Sequence, residues 1–160
     1  MKVTKVESIV LLGRYHLVRV FTDEGIDGVG EVSPMNAAVT HSLVENALSR
    51  LVVGESPFDV ERIWQRMFAA RHDHRHPGMD STPAISAIEI ALWDLIGKAT
   101  NQPIYNLLGG RFHEKLRAYA YMPSEGVWED PARAGDVARR LLEAGNSACK
   151  IGRASCRERV

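Results

Sequence analysis

Hydrophobic positions fall into two successive patterns along the chain. From Lys2 to Leu12 the apolar residues are β-branched and closely spaced (Val3, Val6, Ile9, Val10), and Gly13-Arg14-Tyr15 supplies a turn into His16–Thr22. Asp23-Glu24-Gly25 is a second turn signal, and Ile26 to Val32 makes a third strand that Ser33-Pro34 closes. Three consecutive strands joined by short turns predict an antiparallel meander. Helical spacing then takes over. Leu43, Val44, Ala47, Leu48 and Leu51 predict a helix over about Ala38–Val52 that ends at Gly54. Val60, Ile63, Trp64, Met67 and Phe68 predict a second, with Ser56-Pro57 and Asp59 at its start. A third runs from Pro83 to Ala99 on the stripe Ile85, Ile88, Leu92, Leu95 and Ala99, with Thr82 as its cap and Asn101-Gln102-Pro103 as its stop. One or two further turns follow from Pro103 to Leu108, closed by Gly109-Gly110.

After Gly110 the grammar changes. Leu116–Met122 reads as a strand, Pro131–Ala144 as a helix on Val137, Leu141 and Leu142, and Ser147–Lys150 as the start of another strand. Strand, helix and strand in so short a span make a βαβ unit, the opening of a parallel α/β array. Strands first and helices afterwards predict an α+β domain over residues 1–110, followed by the first βαβ of a second domain over 111–150. No repeat or low-complexity segment interrupts either part.

Composition narrows the function classes. With 45% hydrophobic and 25% charged residues the chain is ordinary globular protein, and twenty basic against twenty acidic residues leave no net field for nucleic acid or an anionic membrane. The apolar runs are too short to cross a bilayer, and Met1-Lys-Val-Thr-Lys5 lacks the apolar core of a signal peptide, so the expected location is the cytoplasm. Cys149 and Cys156 are too few for a metal or redox site and read as incidental thiols. The last ten residues, Ile151–Val160, differ in style from what precedes them. They can be encoded by a string that looks like a common short-read sequencing adapter in frame, so residues 151–160 are expected to be a non-native tail.

Two strings carry a family resemblance. Ser86-Ala-Ile-Glu-Ile-Ala-Leu-Trp-Asp-Leu95, with Gly97-Lys-Ala99, Gln102-Pro-Ile-Tyr105 and Leu107-Leu-Gly-Gly110, resembles the joint between capping domain and barrel in the enolase superfamily, mandelate racemase/muconate lactonizing subgroup. Val18–Glu31 is similar to that family's second and third capping strands, with a Thr-Asp-Glu-Gly turn and a Gly-x-Gly-Glu ending. The resemblance covers residues 1–150. It implies an enolase-like N-terminal cap on residues 1–110 and the truncated start of a (β/α) barrel on 111–150.

It also implies a chemistry. Family members remove the proton α to a substrate carboxylate held on Mg2+, and Lys or His bases move that proton. The magnesium ligands implied lie on barrel strands beyond residue 150, so none is assigned here. Lys150 is the one candidate catalytic residue, because Ala144–Lys150 resembles the second barrel strand, where a Lys-x-Lys pair serves as base and partner. Here the position two beyond is Gly152, and Asn146 stands where an aromatic is usual; an exposed strand-end lysine is the alternative. Two cap segments are implied to supply specificity. Leu12–His16 offers Arg14, Tyr15 and His16, and its brevity resembles the acid-sugar dehydratases; Ser33–Thr40 offers Met35 and Asn36. A solvated turn is the competing reading of Arg14. His72, His74 and His76 alternate in a polar loop and read as solvated more readily than as metal ligands, and Asp94 and Glu89 read as structural contacts.

The expected activity of the complete protein is therefore dehydration of a small sugar-acid substrate to a 2-keto-3-deoxy acid. A racemase, epimerase or cycloisomerase is the alternative within the family. A stand-alone cap or oligomerisation module is the alternative outside it. The complete protein is expected to form a homo-oligomer, and the 160 residues alone to be inactive.

Overall fold

The computed structural model describes residues 1–12, 15–32, 37–70, 78, 80–122, 127 and 130–150. It divides into two compact units, Met1–Arg111 and Phe112–Val160.

The first unit is an α+β layer pair. Strands β1 (Val3–Leu11), β2 (Tyr15–Thr22) and β3 (Asp27–Val32) form an antiparallel sheet in the order β1-β2-β3. Its inner face is set by period-two alternation: His16, Val18, Val20 and Thr22 of β2 are buried, as are Gly28, Gly30 and Val32 of β3. In β1, Val3 and Val6 are both buried although they are three positions apart. A register shift between Val3 and Lys5 supplies the extra residue that restores the face.

Helix α1 (Ala37–Leu43), a π segment (Val44–Leu48) and helix α2 (Ser49–Val52) run on continuously where a single α-helix was expected. The buried residues explain the difference. Thr40, Val44, Leu48 and Val52 recur every four positions, slightly longer than an α-helical turn, and the wider i→i+5 bonding keeps them on one face. Ala47, which the helical pattern assigned to the core, is exposed. Helix α3 (Val60–Ala69) buries Val60, Ile63 and Met67, while Trp64 is only partly buried and stacks on the exposed Phe68 at 4.9 Å.

Helix α4 (Ser81–Thr100) is the centre of the unit. It starts at Ser81, preceded by Asp80, so Thr82 lies inside it and is not its cap. The Ile85, Ile88, Leu92 and Leu95 stripe is buried, and so are Ala84, Ala87 and Ala91. Those alanines meet β3. A Cβ on Gly30 would lie 2.0 Å from the Ala87 carbonyl oxygen, and one on Gly28 would lie 1.9 Å from that of Ala91. The Gly-x-Gly string is thus a groove that lets helix backbone approach strand backbone. At the far end Asn101 turns left-handed (φ 52°, ψ 42°), and the Gln102 N–H donates back to the Gly97 carbonyl at 2.8 Å. That arrangement is a Schellman stop made with asparagine. Helix α5 (Ile104–Leu107) follows.

In the second unit β4 (Ala120–Tyr121) and β5 (Cys149–Lys150) pair in parallel, connected through helix α6 (Pro131–Glu143). Asp130 accepts from the Ala132 N–H at 2.9 Å and Pro131 opens the helix. β4 is shorter than the Leu116–Met122 strand expected, because its ladder reaches only as far as β5: the Ala120 N–H donates to Ala148 and the Met122 N–H to Lys150. Arg117 instead uses its guanidinium to hold the Ser147 hydroxyl and carbonyl at 2.9 and 2.8 Å. No helix among the described residues is long and apolar enough to cross a membrane.

Candidate functional site

The antiparallel register brings two segments to one end of the first unit's sheet. Leu11 pairs with Tyr15, and His16 pairs with both Val10 and Val32. Leu11, Tyr15 and Val32, described residues at the two segments expected to supply specificity, are therefore neighbours. Arg14, Met35 and Asn36 themselves lie outside the described residues, as do His72, His74 and His76.

Tyr15 and His16 part company at this end. Tyr15 is on the outer face, 48% exposed, beside exposed Leu11 and Leu12. His16 is on the inner face with 1% exposure, because strand alternation sends it to the side of Val18 and Val20. The structure places it inside the fold, so it is not a surface residue as the cap-segment reading expected. Both its ring nitrogens are engaged: Nε2 lies 2.5 Å from Ser8 Oγ and Nδ1 lies 2.9 Å from Thr40 Oγ1. Ser8 Oγ is also 2.9 Å from His41 Nδ1, and the Ser8 N–H donates to Glu45 Oε1 at 2.6 Å. Burial, and after it the neighbouring His41, hold the His16 pKa below the usual histidine range. Ser8, Thr40, His41 and Glu45 escaped the sequence reading. The signal available was polar residues at inward-facing strand and helix positions, which need partners once buried.

Lys150 belongs to the second unit. It closes β5 opposite Tyr121, is exposed, and carries its ammonium 5.8 Å from the Tyr121 ring centre. Asp94 and Glu89 are not assembled for acid–base work. Asp94 accepts from the Val29 N–H at 2.9 Å and pairs with Lys98 at 2.7 Å, which in turn donates to the Asp27 carbonyl. Glu89 and Glu61 border a groove of about 460 Å³ with Ile90, Trp93 and Leu108, and none of the predicted site residues lines it. Among the described residues no three His, Cys, Asp or Glu side chains lie together as metal ligands, so these residues do not fit the magnesium ion the resemblance implies.

The comparisons with known proteins agree with this architecture. Residues 7–109 match the family described as mandelate racemase / muconate lactonizing enzyme, N-terminal domain. A D-galactonate dehydratase of Pectobacterium atrosepticum is 37% identical over 151 residues, covering 94% of this chain and 38% of that protein. The D-galactonate dehydratase of Variovorax paradoxus is 31% identical over the same shares. Among solved structures, an enolase-superfamily member from Salmonella Typhimurium superposes with a TM-score of 0.82 at 32% identity, over 94% of this chain and 41% of that one. A mandelate racemase/muconate lactonizing enzyme from Sulfitobacter sp. gives 0.82 at 30% identity, over 98% and 44%. The chain thus spans about two fifths of the proteins it resembles.

Proposed function

The chain belongs to the mandelate racemase/muconate lactonizing enzyme family, and from that premise we propose that its complete protein is a sugar-acid dehydratase. The observation that carries the reaction type is the pair of D-galactonate dehydratases at 31% and 37% identity across 94% of the chain. The reaction removes the proton on the carbon next to the carboxylate and expels the neighbouring hydroxyl as water. The enol left behind takes a proton at its third carbon and becomes a 2-keto-3-deoxy acid.

Within these residues the division of labour is as follows. Tyr15, Arg14, Met35 and Asn36 are assigned to the cap surface that meets the substrate, supported by the convergence of their flanking strands at one end of the sheet. His16 supports that surface from below. Lys150 Nζ, at the end of β5, is assigned to proton transfer at the substrate carbon, where a positioned general base contributes about 10²–10⁴-fold. Magnesium ligands are assigned to barrel strands outside this chain. The complete protein is assigned to the cytoplasm as a homo-oligomer, and the 160 residues by themselves to no turnover.

The test is to recover the gene beyond the codon for residue 150, express the complete protein and incubate it with a panel of sugar acids in D2O. Loss of water with formation of a 2-keto-3-deoxy acid is expected, together with loss of about 10²-fold or more of kcat in Lys150→Met. Deuterium entering the α position without elimination would assign a racemase or epimerase instead.

A further inference from the structure

Two opposite proton orders link the polar groups at the hairpin end, and the bond from Thr40 to the Ala37 carbonyl selects one of them. Thr40 Oγ1 donates to the Ala37 carbonyl oxygen at 3.2 Å, and a carbonyl can only accept. The Thr40 oxygen therefore receives the His16 Nδ1–H at 2.9 Å. A neutral imidazole carries a single N–H, so His16 Nε2 is an acceptor, and Ser8 Oγ–H donates to it across 2.5 Å. The Ser8 oxygen is then left to accept, and His41 Nδ1–H at 2.9 Å is its donor. The chain of protons runs one way, from His41 through Ser8 and His16 to Thr40 and the first turn of α1.

We propose that Ser8, His16, Thr40 and His41 form a proton-ordered latch that fixes both rings as Nδ1–H tautomers, fastens the ends of β1 and β2 to α1, and opens in acid. Protonating His16 puts a second N–H at Nε2, facing the Ser8 hydroxyl proton. Ser8 must then reverse and donate to His41, which requires His41 to give up its Nδ1 proton. Among the described residues, the ionisable groups that reach His16 are His41 from α1 and, through the Ser8 N–H, Glu45 from the π segment. Its strand neighbours Val10 and Val32 carry none. On α4, Asp94 and Lys98 are held at Val29 and Asp27, and Glu89 borders the groove. Nothing in the latch depends on the proposed dehydratase activity.

The test is a long-range 1H–15N spectrum of the uniformly labelled 160-residue chain, with His16→Gln and His41→Gln used only to assign the rings. At pH 7.5 both His16 and His41 are expected as the Nδ1–H tautomer, the opposite of the form free histidine favours. On titration His16 is expected to change state below pH 6.5, and Ser8 and Thr40 amides to lose exchange protection over the same range. In Thr40→Val the acceptor for Nδ1–H is gone, so the order inverts: His16 becomes Nε2–H, and His41, although Thr40 does not touch it, becomes Nε2–H as well. A role in packing alone would leave the His41 tautomer unchanged, and that result overturns the latch. Finding wild-type His16 as Nε2–H overturns it too, whether or not the variant folds.

Discussion

Helix α4 buries ten of its twenty residues, whereas helix α6 buries none of its thirteen. Both are well-formed helices with specific ends, so the contrast does not lie in the backbone. It lies in what each finds to pack against. α4 meets a three-stranded sheet through Ala87, Ala91 and Leu95 and also packs against α1 and α3, with Ile85, Ile88 and Leu92 in the same buried cluster. α6 is amphipathic through Val137, Leu141 and Leu142, yet Leu142 is 62% exposed and the unit's sheet consists of two-residue strands. Leu116 and Phe112, at 81% and 91%, are exposed in the same way. An apolar stripe specifies that a face is to be covered; it does not supply the cover. The matched relatives are more than twice as long as this chain, and further barrel strands are proposed to cover the second unit, whereas the first already holds its own core.

The same substitution in the two units sharpens the contrast most. Gly30→Ala puts a methyl 2.0 Å from the Ala87 carbonyl oxygen, and since both sides of the clash are backbone no rotamer relieves it. A loss of about 3 kcal/mol is expected, at the top of the overpacking range. Gly135→Ala, inside α6, meets nothing within 4 Å. It is expected to stabilise its helix by up to about 1 kcal/mol through propensity alone. Residue-resolved hydrogen exchange on the whole chain reads the two units separately. Loss of protection in α6 on Gly135→Ala, or none in β3 on Gly30→Ala, would break the comparison.

This pair also shows how far the chain could be read unaided. The stripe on α4 and the meander were legible because each follows one period over many residues. The mutual fit of Gly28 and Gly30 with Ala87 and Ala91 was not, because small residues carry no hydrophobic signal and reveal their role only when two backbones meet. The π segment was hidden for a related reason: a four-residue repeat differs from 3.6 by too little to show over three turns. Burial of His16 could have been inferred, since it alternates with Val18 and Val20. Its place in the Leu12–His16 segment, which the family resemblance implies for specificity, instead suggested a binding role. Lys150 was found through a local string, and its neighbours Ala148 and Cys149 give no further chemical signal.

Asp94 gives a smaller effect that stays within the first unit. Its carboxylate satisfies the Val29 N–H on the outer edge of β3 and anchors Lys98, which also reaches the Asp27 carbonyl. Asp94→Ala is expected to cost about 1 kcal/mol, the net worth of one hydrogen bond with a partly exposed partner. Asp94→Asn, which keeps an acceptor, is expected to cost less. Exchange of the Val29 amide reports the effect, and the β4–β5 amides serve as the unaffected control.

The smallest expected effect is electrostatic, and it separates two acid transitions in the same unit. Arg19 grips Asp27 with two hydrogen bonds, 2.8 and 3.2 Å, and lies over the Phe21 ring at 4.6 Å. The hydrogen bond from Arg19 is the main reason the Asp27 carboxyl titrates below the usual range. A carboxyl whose folded pKa is depressed contributes stability above its unfolded value near 3.8, and that contribution is lost as pH falls through the folded value. His16, also depressed but stabilised by staying neutral, contributes above about 6.5 and loses its contribution as pH falls below that. The first unit should therefore weaken in two steps, one beginning below pH 6.5 and one below pH 4. Because the Arg19–Asp27 pair is solvent-facing, its step is the shallower and fades in high salt, whereas the buried His16 step persists. Asp27→Asn is expected to remove the lower step and leave the upper one intact. Thermal melts from pH 7.5 to 3, in low and high salt, check both; a single step that responds to Asp27→Asn throughout would merge the two groups into one titration and remove the distinction between surface and core charge.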